Sequence, residues 1–255
     1  MKILHHLVYP IAWLTSRFFI TNPIFIVGSG RSGTSVLLQS LGKHKNILSL
    51  PGEAPFLTTI GGAAALFTGS EAEYYKASSK VGQDYLYSRL AQLGLELAGG
   101  RGFAFKHIIK KLFNQKRILP SPIKHWAAKT FPPETVAKGL SQVYPNCRYL
   151  YILRNGIEVV NSKTKFHGFK DNAFEDQCIS WANSSKINRY HSESKNSLLI
   201  RHEDLVYDPE RVFEQIFDFL GLPHDTDCVK YIQNTLVHPL DQTGRKALNI
   251  VEQLK

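Results

Sequence analysis

The chain has 255 residues, of which 43% are hydrophobic and 20% charged, enough to bury a full core within one domain. Its formal charge of +10 points to an anionic partner. The basic residues are scattered, with no Lys/Arg-rich tail and no regularly interleaved aromatics, which argues against nucleic acid. Three widely spaced cysteines exclude a disulfide framework, and ten dispersed histidines without ligand spacing predict no metal.

In chain order, the segment HHLVYPIAWLTSRFFITNP is apolar but interrupted by Pro10 and Arg17, so it is too short to cross a bilayer. It also lacks a small-residue cleavage site after a clean apolar run. The expectation is an element packed on the domain, with weak membrane-surface contact through residues 3–20, in a cytoplasmic protein. Ile24 to Val27 reads as a buried parallel strand and Thr34 to Leu41 as a helix stopped at Gly42. Residues 54–128 read as an insert on the substrate side, where Tyr74, Tyr75, Tyr85 and Tyr87 either line a pocket or, as their spacing favours, belong to a helix packed on the sheet. Pro132, Pro133 and Glu134 open a helix whose Val136, Leu140 and Val143 share one face.

CRYLYILRN, residues 147–155, is a second core strand, followed directly by a helix over Ile157 to Lys165. Asp171 is placed to cap a long helix running to Ser192, with Phe174, Cys178 and Trp181 on one side. Ser197 to Ile200 makes a third strand. Asp208 and Pro209 start a helix with an apolar face of Phe213, Ile216, Phe217 and Leu220, and Gly221 with Pro223 stops it. Strands alternating with helices predict an α/β fold in three layers around a mainly parallel sheet. Ligands of such sheets bind at the carboxyl ends of the strands, where Gly28 and Arg154 fall.

The stretch IFIVGSGRSGTSVLLQSLG sets a glycine-rich turn between a strand and a helix, which collects backbone N–H groups at a helix N-terminus and makes an anion site. A nucleoside-triphosphate loop would carry lysine where Thr34 stands; here the cation is Arg31, at the crown.

This turn resembles the 5′-phosphosulfate loop of sulfotransferases that use 3′-phosphoadenosine 5′-phosphosulfate (PAPS), and the fold implied is like that of P-loop nucleoside triphosphate hydrolases. A second block, YPNCRYLYILRNGIEVVNS, resembles the family's 3′-phosphate site, in which an arginine ending a strand is followed eight residues later by a serine; Arg154 and Ser162 keep that spacing. A third, IRHEDLVYDPERVFEQIFDFLGLP, resembles the family's C-terminal block. The resemblance covers residues 24–223 and implies PAPS as sulfuryl donor, bound by Ser29, Gly30, Arg31, Ser32, Gly33, Thr34, Ser35, Arg154 and Ser162, without a metal. Arg31 and the N–H groups of Ser32 to Thr34 would neutralise the 5′ end.

LSLPGEAPF resembles the segment that carries the catalytic glutamate of tyrosylprotein-type sulfotransferases, which makes Glu53 the base. His107, in AFKHIIKK, is the alternative, because cytosolic relatives use a histidine. AAKTFPP resembles a Lys-Thr-Pro block, and Lys129 lies 25 residues before Arg154. Lys129 is therefore the leaving-group cation, with Lys106 the alternative. DQTGRKAL loosely matches the basic-glycine loop over the 3′-phosphate, at Gly244 and Arg245. Two departures stand out: His202 replaces a tyrosine before Glu-Asp-Leu, and Gly156 replaces the usual proline after Arg-Asn. The expected acceptor is a small molecule, peptide or sugar with a hydroxyl or amino group, and the oligomeric state is open. The rival readings are a P-loop kinase-like phosphotransferase and a non-catalytic basic module that keeps the nucleotide fold.

Overall fold

The computed structural model describes residues 22–67, 73, 83–97, 124–169, 171–192 and 194–236. His107, Lys106, Gly244, Arg245, Tyr74, Tyr75 and residues 3–20 lie outside these, as does the side chain of Tyr85. The strands are β1 (Pro23–Val27), β2 (Ile47–Glu53), β3 (His125–Lys129), β4 (Arg148–Leu153) and β5 (Ser197–Arg201). They form one sheet in the order β2-β3-β1-β4-β5, with every pairing parallel. The expected parallel α/β architecture is present.

Strand periodicity explains the layers, because successive side chains point to opposite faces. Phe25 and Val27 of β1, Trp126 and Ala128 of β3, and Tyr149 and Tyr151 of β4 enter one core. That core is closed by α2 (Phe56–Ala65), α3 (Gln83–Leu97) and α4 (Glu134–Val143). Ile24, Ile26, Ala127, Leu150 and Ile152 enter the other. There they meet α1 (Thr34–Leu41), α8 (Pro209–Leu220) and α9 (Thr226–Thr235). Both faces are buried, as a parallel sheet requires.

The remaining helices are α5 (Gly156–Thr164), α6 (Phe174–Ser192) and α7 (His202–Tyr207). Val136, Leu140 and Val143 are all buried, as the α4 spacing predicts. Helix α8 starts where Asp208 accepts from the Arg211 amide and stops at Gly221, whose φ of 64° is left-handed. Leu222 N–H returns to the Phe217 carbonyl, closing the cap. Helix α6 begins at Phe174, three residues after Asp171, so Asp171 does not cap it.

Two strands were not anticipated. Pro51 and Gly52 interrupt β2, and β3 falls at the tail of the stretch read as an insert. Yet β3 lies between β2 and β1 in the sheet, so His125 to Ala128 are part of the central layer. The chain runs from β1 outward to β2, back through β3, and then across β1 to β4. The switch point therefore lies beside β1, with Gly28 and Arg154 at its carboxyl edge.

Candidate functional site

The loop after β1 is a tight structure with its own internal bonds. The Ser32 N–H and hydroxyl both donate to the Ser29 carbonyl, at 3.1 and 2.6 Å. The Ser32 amide thus donates within the turn. Gly33, at φ 97°, turns the chain into α1, and Arg31 itself takes a φ of 73°, an uncommon conformation for a residue with a side chain. At the start of α1 the amides of Gly33, Thr34 and Ser35 precede the first intrahelical bonds, the kind of donors that can receive an anion. Thr34 is buried where a nucleoside-triphosphate loop carries its lysine.

Arg31 is bound from the side. Its Nε donates to Ser162 Oγ at 3.1 Å, and its guanidinium carbon stands 4.3 Å from the centre of the Phe166 ring. Arg154, at the end of β4, donates from Nη1 to the Arg31 carbonyl at 3.2 Å. It also pairs with Glu158 one turn along α5, through Nε at 2.9 Å and Nη2 at 2.8 Å. The two residues expected at separate phosphate sites, Arg31 and Ser162, therefore touch, and Arg154 closes the same cluster.

On the other side of the loop, Lys129 ends β3. Its ammonium donates to Ser35 Oγ at 2.9 Å and lies 3.3 Å from Glu53 Oε1. The register of β2 against β3 shifts between Ser49 and Glu53, where Gly52 takes a φ of 73°. Such an irregularity re-aims a side chain, and here it sets Glu53 beside Lys129. The Lys129 side chain is 11% exposed and that of Glu53 62%, so the cation is held by the fold and the carboxylate faces solvent.

His202, the departure before Glu-Asp-Leu, is buried with its ring against Gly33; a methyl group there would meet ring carbon Cδ2 at 2.6 Å. Burial, aided by the positive charge of Arg154, pushes its pKa down to about 4, so the ring is neutral at physiological pH. Gly156 also has a reason: the Trp181 ring lies 3.0 Å from where its Cβ would stand, and Trp181 Nε1 donates to the Arg154 carbonyl at 3.2 Å. Asn155 caps α5 by accepting from the Ile157 amide, while its own amide donates to Glu203. These contacts fix the strand end that carries Arg154.

Glu158, Phe166, Trp181 and His202 were not singled out as site residues from the sequence. Glu158 had a local signal in its spacing four residues after Arg154 on a helix, and His202 stood out as the departure before Glu-Asp-Leu. Among the described residues, no group of three His, Cys, Asp or Glu side chains could hold a metal ion, and no helix is long and apolar enough to cross a membrane.

Comparisons with known proteins follow the same lines. Residues 23–227 match the model of the sulfotransferase family, and the chain belongs to that family. It is 25% identical over 224 residues to protein-tyrosine sulfotransferase A of Caenorhabditis elegans, covering 84% of this chain and 53% of that protein. The chain thus spans about half the length of that relative. The fold is similar to a sulfotransferase domain from the curacin biosynthetic pathway, with a TM-score of 0.51 at 20% identity over 83% of this chain and 77% of that one. It is also similar to the sulfotransferase domain of the Synechococcus PCC 7002 olefin synthase, with a TM-score of 0.51 at 18% identity over 87% and 82%.

Proposed function

We propose that this chain transfers a sulfuryl group from PAPS to a hydroxyl or amino group of an acceptor, in line, releasing adenosine 3′,5′-bisphosphate. One observation carries the reading: Lys129 spans the gap between the first turn of α1, at Ser35, and the exposed carboxylate of Glu53. An anion site, a fixed cation and a base are thereby adjacent, which is the arrangement a transfer between oxygens needs.

The donor set is read as serving two anionic groups of one ligand, whose sites meet at the contact of Arg31 with Ser162. The amides of Gly33, Thr34 and Ser35, with Arg31, favour one anion at the helix start. Arg154 and Ser162 favour a second, because a guanidinium can give two parallel charge-assisted bonds to a phosphate. PAPS supplies an activated sulfuryl group on a phosphate leaving group. Glu53 accepts the acceptor's proton, and Lys129 places positive charge where charge grows on the leaving oxygen. Thr34 in the position of a lysine supports this reading over a nucleoside-triphosphate kinase.

The acceptor is a small molecule, peptide or sugar, and the name of the nematode relative makes tyrosyl phenols the first to try. A cytoplasmic location belongs to the same proposal. The test is incubation with labelled PAPS and a panel of phenols, tyrosine peptides, sugars and aminated metabolites, with mass detection of sulfated product. Product from no acceptor, together with equal binding of adenosine 3′,5′-bisphosphate and AMP, would overturn the proposal.

A further inference from the structure

Residues 162–169, SKTKFHGF, seat the crown of the anion loop. Ser162 and Phe166 hold Arg31, while Phe169 packs on Gly30, its Cζ 3.1 Å from where a Cβ would stand. Between these contacts lies Lys163, a residue the reaction as described does not use. It is 2% exposed, and its Cε is 4.0 Å from the Cβ position of Gly30. Its ammonium donates to Ser180 Oγ on α6 at 3.3 Å and lies 5.6 Å from the centre of the Phe169 ring. No carboxylate of the described residues forms an ion pair with it.

A buried ammonium without a counter-ion is costly, and burial pulls the Lys163 pKa below the usual lysine range. A methionine or leucine would fill the same space on α5 without that cost. The Ser180 bond and the Phe169 ring offset part of that cost, and an anion arriving at the loop beside Lys163 offsets more. Gly30 has no side chain to stand between them, and low-dielectric surroundings let the charge act through space.

We infer that Lys163 is a positioning residue whose buried positive charge lies behind Gly30 and selects for the 5′ anion of the donor, which is its counter-ion. This rests on the PAPS reading above. It adds a fourth cation to Arg31, Lys129 and Arg154, one that serves from inside the protein and never meets the acceptor.

The test measures binding of three nucleotides to the full chain by calorimetry: adenosine 3′,5′-bisphosphate, AMP and adenosine 3′-monophosphate. Lys163→Met should weaken the first two about tenfold or more, the scale of one buried charge acting on a doubly charged group. Binding of the 3′-monophosphate, which has no 5′ anion, should stay within about twofold. Lys163→Gln, a polar and neutral second variant, should behave like Lys163→Met. Ser180→Ala removes the same hydrogen bond but keeps the charge, so all three affinities should hold. Equal losses for the three nucleotides in both Lys163 variants, no loss at all, or a Ser180→Ala variant that mimics them would overturn the inference. Wild-type chain that binds adenosine 3′,5′-bisphosphate no better than either monophosphate would instead overturn the donor assignment, and this inference with it.

Discussion

His202 links the anion loop to the stability of the fold, and the size of the effect follows from its surroundings. The ring is 8% exposed, packed on Gly33, with a pKa held near 4, against about 6.5 for a histidine in the unfolded chain. The folded protein thus favours the neutral ring. That contribution is fully present above pH 6.5. As pH falls below 6.5 the unfolded chain takes up a proton that the folded chain refuses until about pH 4, so stability is lost across that window. Between pH 7.5 and pH 5 the loss attributable to His202 is about 2 kcal/mol, rising to about 3 kcal/mol at pH 4. For a domain of this size, 2 kcal/mol corresponds to a fall in Tm of about 4 to 8 °C. The assay is thermal unfolding at half-unit pH steps, comparing wild type with His202→Gln, which occupies similar space but does not titrate. The variant should lose less on acidification by that amount. Parallel Tm curves, or an NMR titration placing His202 at or above 6.5, would refute the reasoning.

Three other outcomes are expected. Arg154→Ala should remove most of the preference for adenosine 3′,5′-bisphosphate over AMP, at about 1.5 to 3 kcal/mol for a charge-assisted bond, measured by calorimetry. Glu53→Gln should slow turnover about 10²- to 10⁴-fold with nearly unchanged nucleotide affinity, while His107→Ala costs far less; the reverse pattern in steady-state rates would make the histidine the base. Glu158→Gln frees Arg154 from an exposed pair worth only a few tenths of a kcal/mol and removes a charge that repels phosphate, so adenosine 3′,5′-bisphosphate should bind about two- to tenfold more tightly in the same calorimetric assay.

What could be read from the sequence is what local chemistry decides. The first strand, its turn and α1 are contiguous, and Arg154 and Ser162 lie on one strand-to-helix connection, where resemblance to the family's 3′-phosphate block pairs them. The apolar faces of α4 and α8 follow from helical periodicity, and Gly221 stops α8 because only a left-handed residue closes that cap. Strand β2 was hidden because Pro51 and Gly52, poor strand formers, fall inside it, and β3 because five buried residues carry no period of their own. Glu53 and Lys129 were identified by resemblance, but their contact comes from the pairing of those two hidden strands. The roles of Phe166, Lys163 and His202 depend on contacts with the loop from residues more than 130 positions away, which no local pattern encodes.

The way the site's charges are held gives the arrangement its direction. Lys129 and Arg154 each pair with a carboxylate, and in both pairs the cation is the less exposed partner: 11% against 62% for Lys129 and Glu53, 24% against 54% for Arg154 and Glu158. The cations are fixed by further bonds to the loop, Lys129 to the Ser35 hydroxyl and Arg154 to the Arg31 carbonyl, while both acids are mostly in solvent. An exposed partner in water contributes little, so exchanging it for a bound phosphate loses little. Meanwhile the donors need not reorganise when the anion binds, and preorganised donors are the ones that stabilise developing charge most effectively. The two acids then have separate fates. On the proposed reading Glu158, four residues from Arg154, would yield to a 3′-phosphate, and Glu53, paired with Lys129, would take the acceptor's proton. On that reading, the contact that pairs Glu53 with Lys129 also sets the proposed base beside the proposed leaving-group cation.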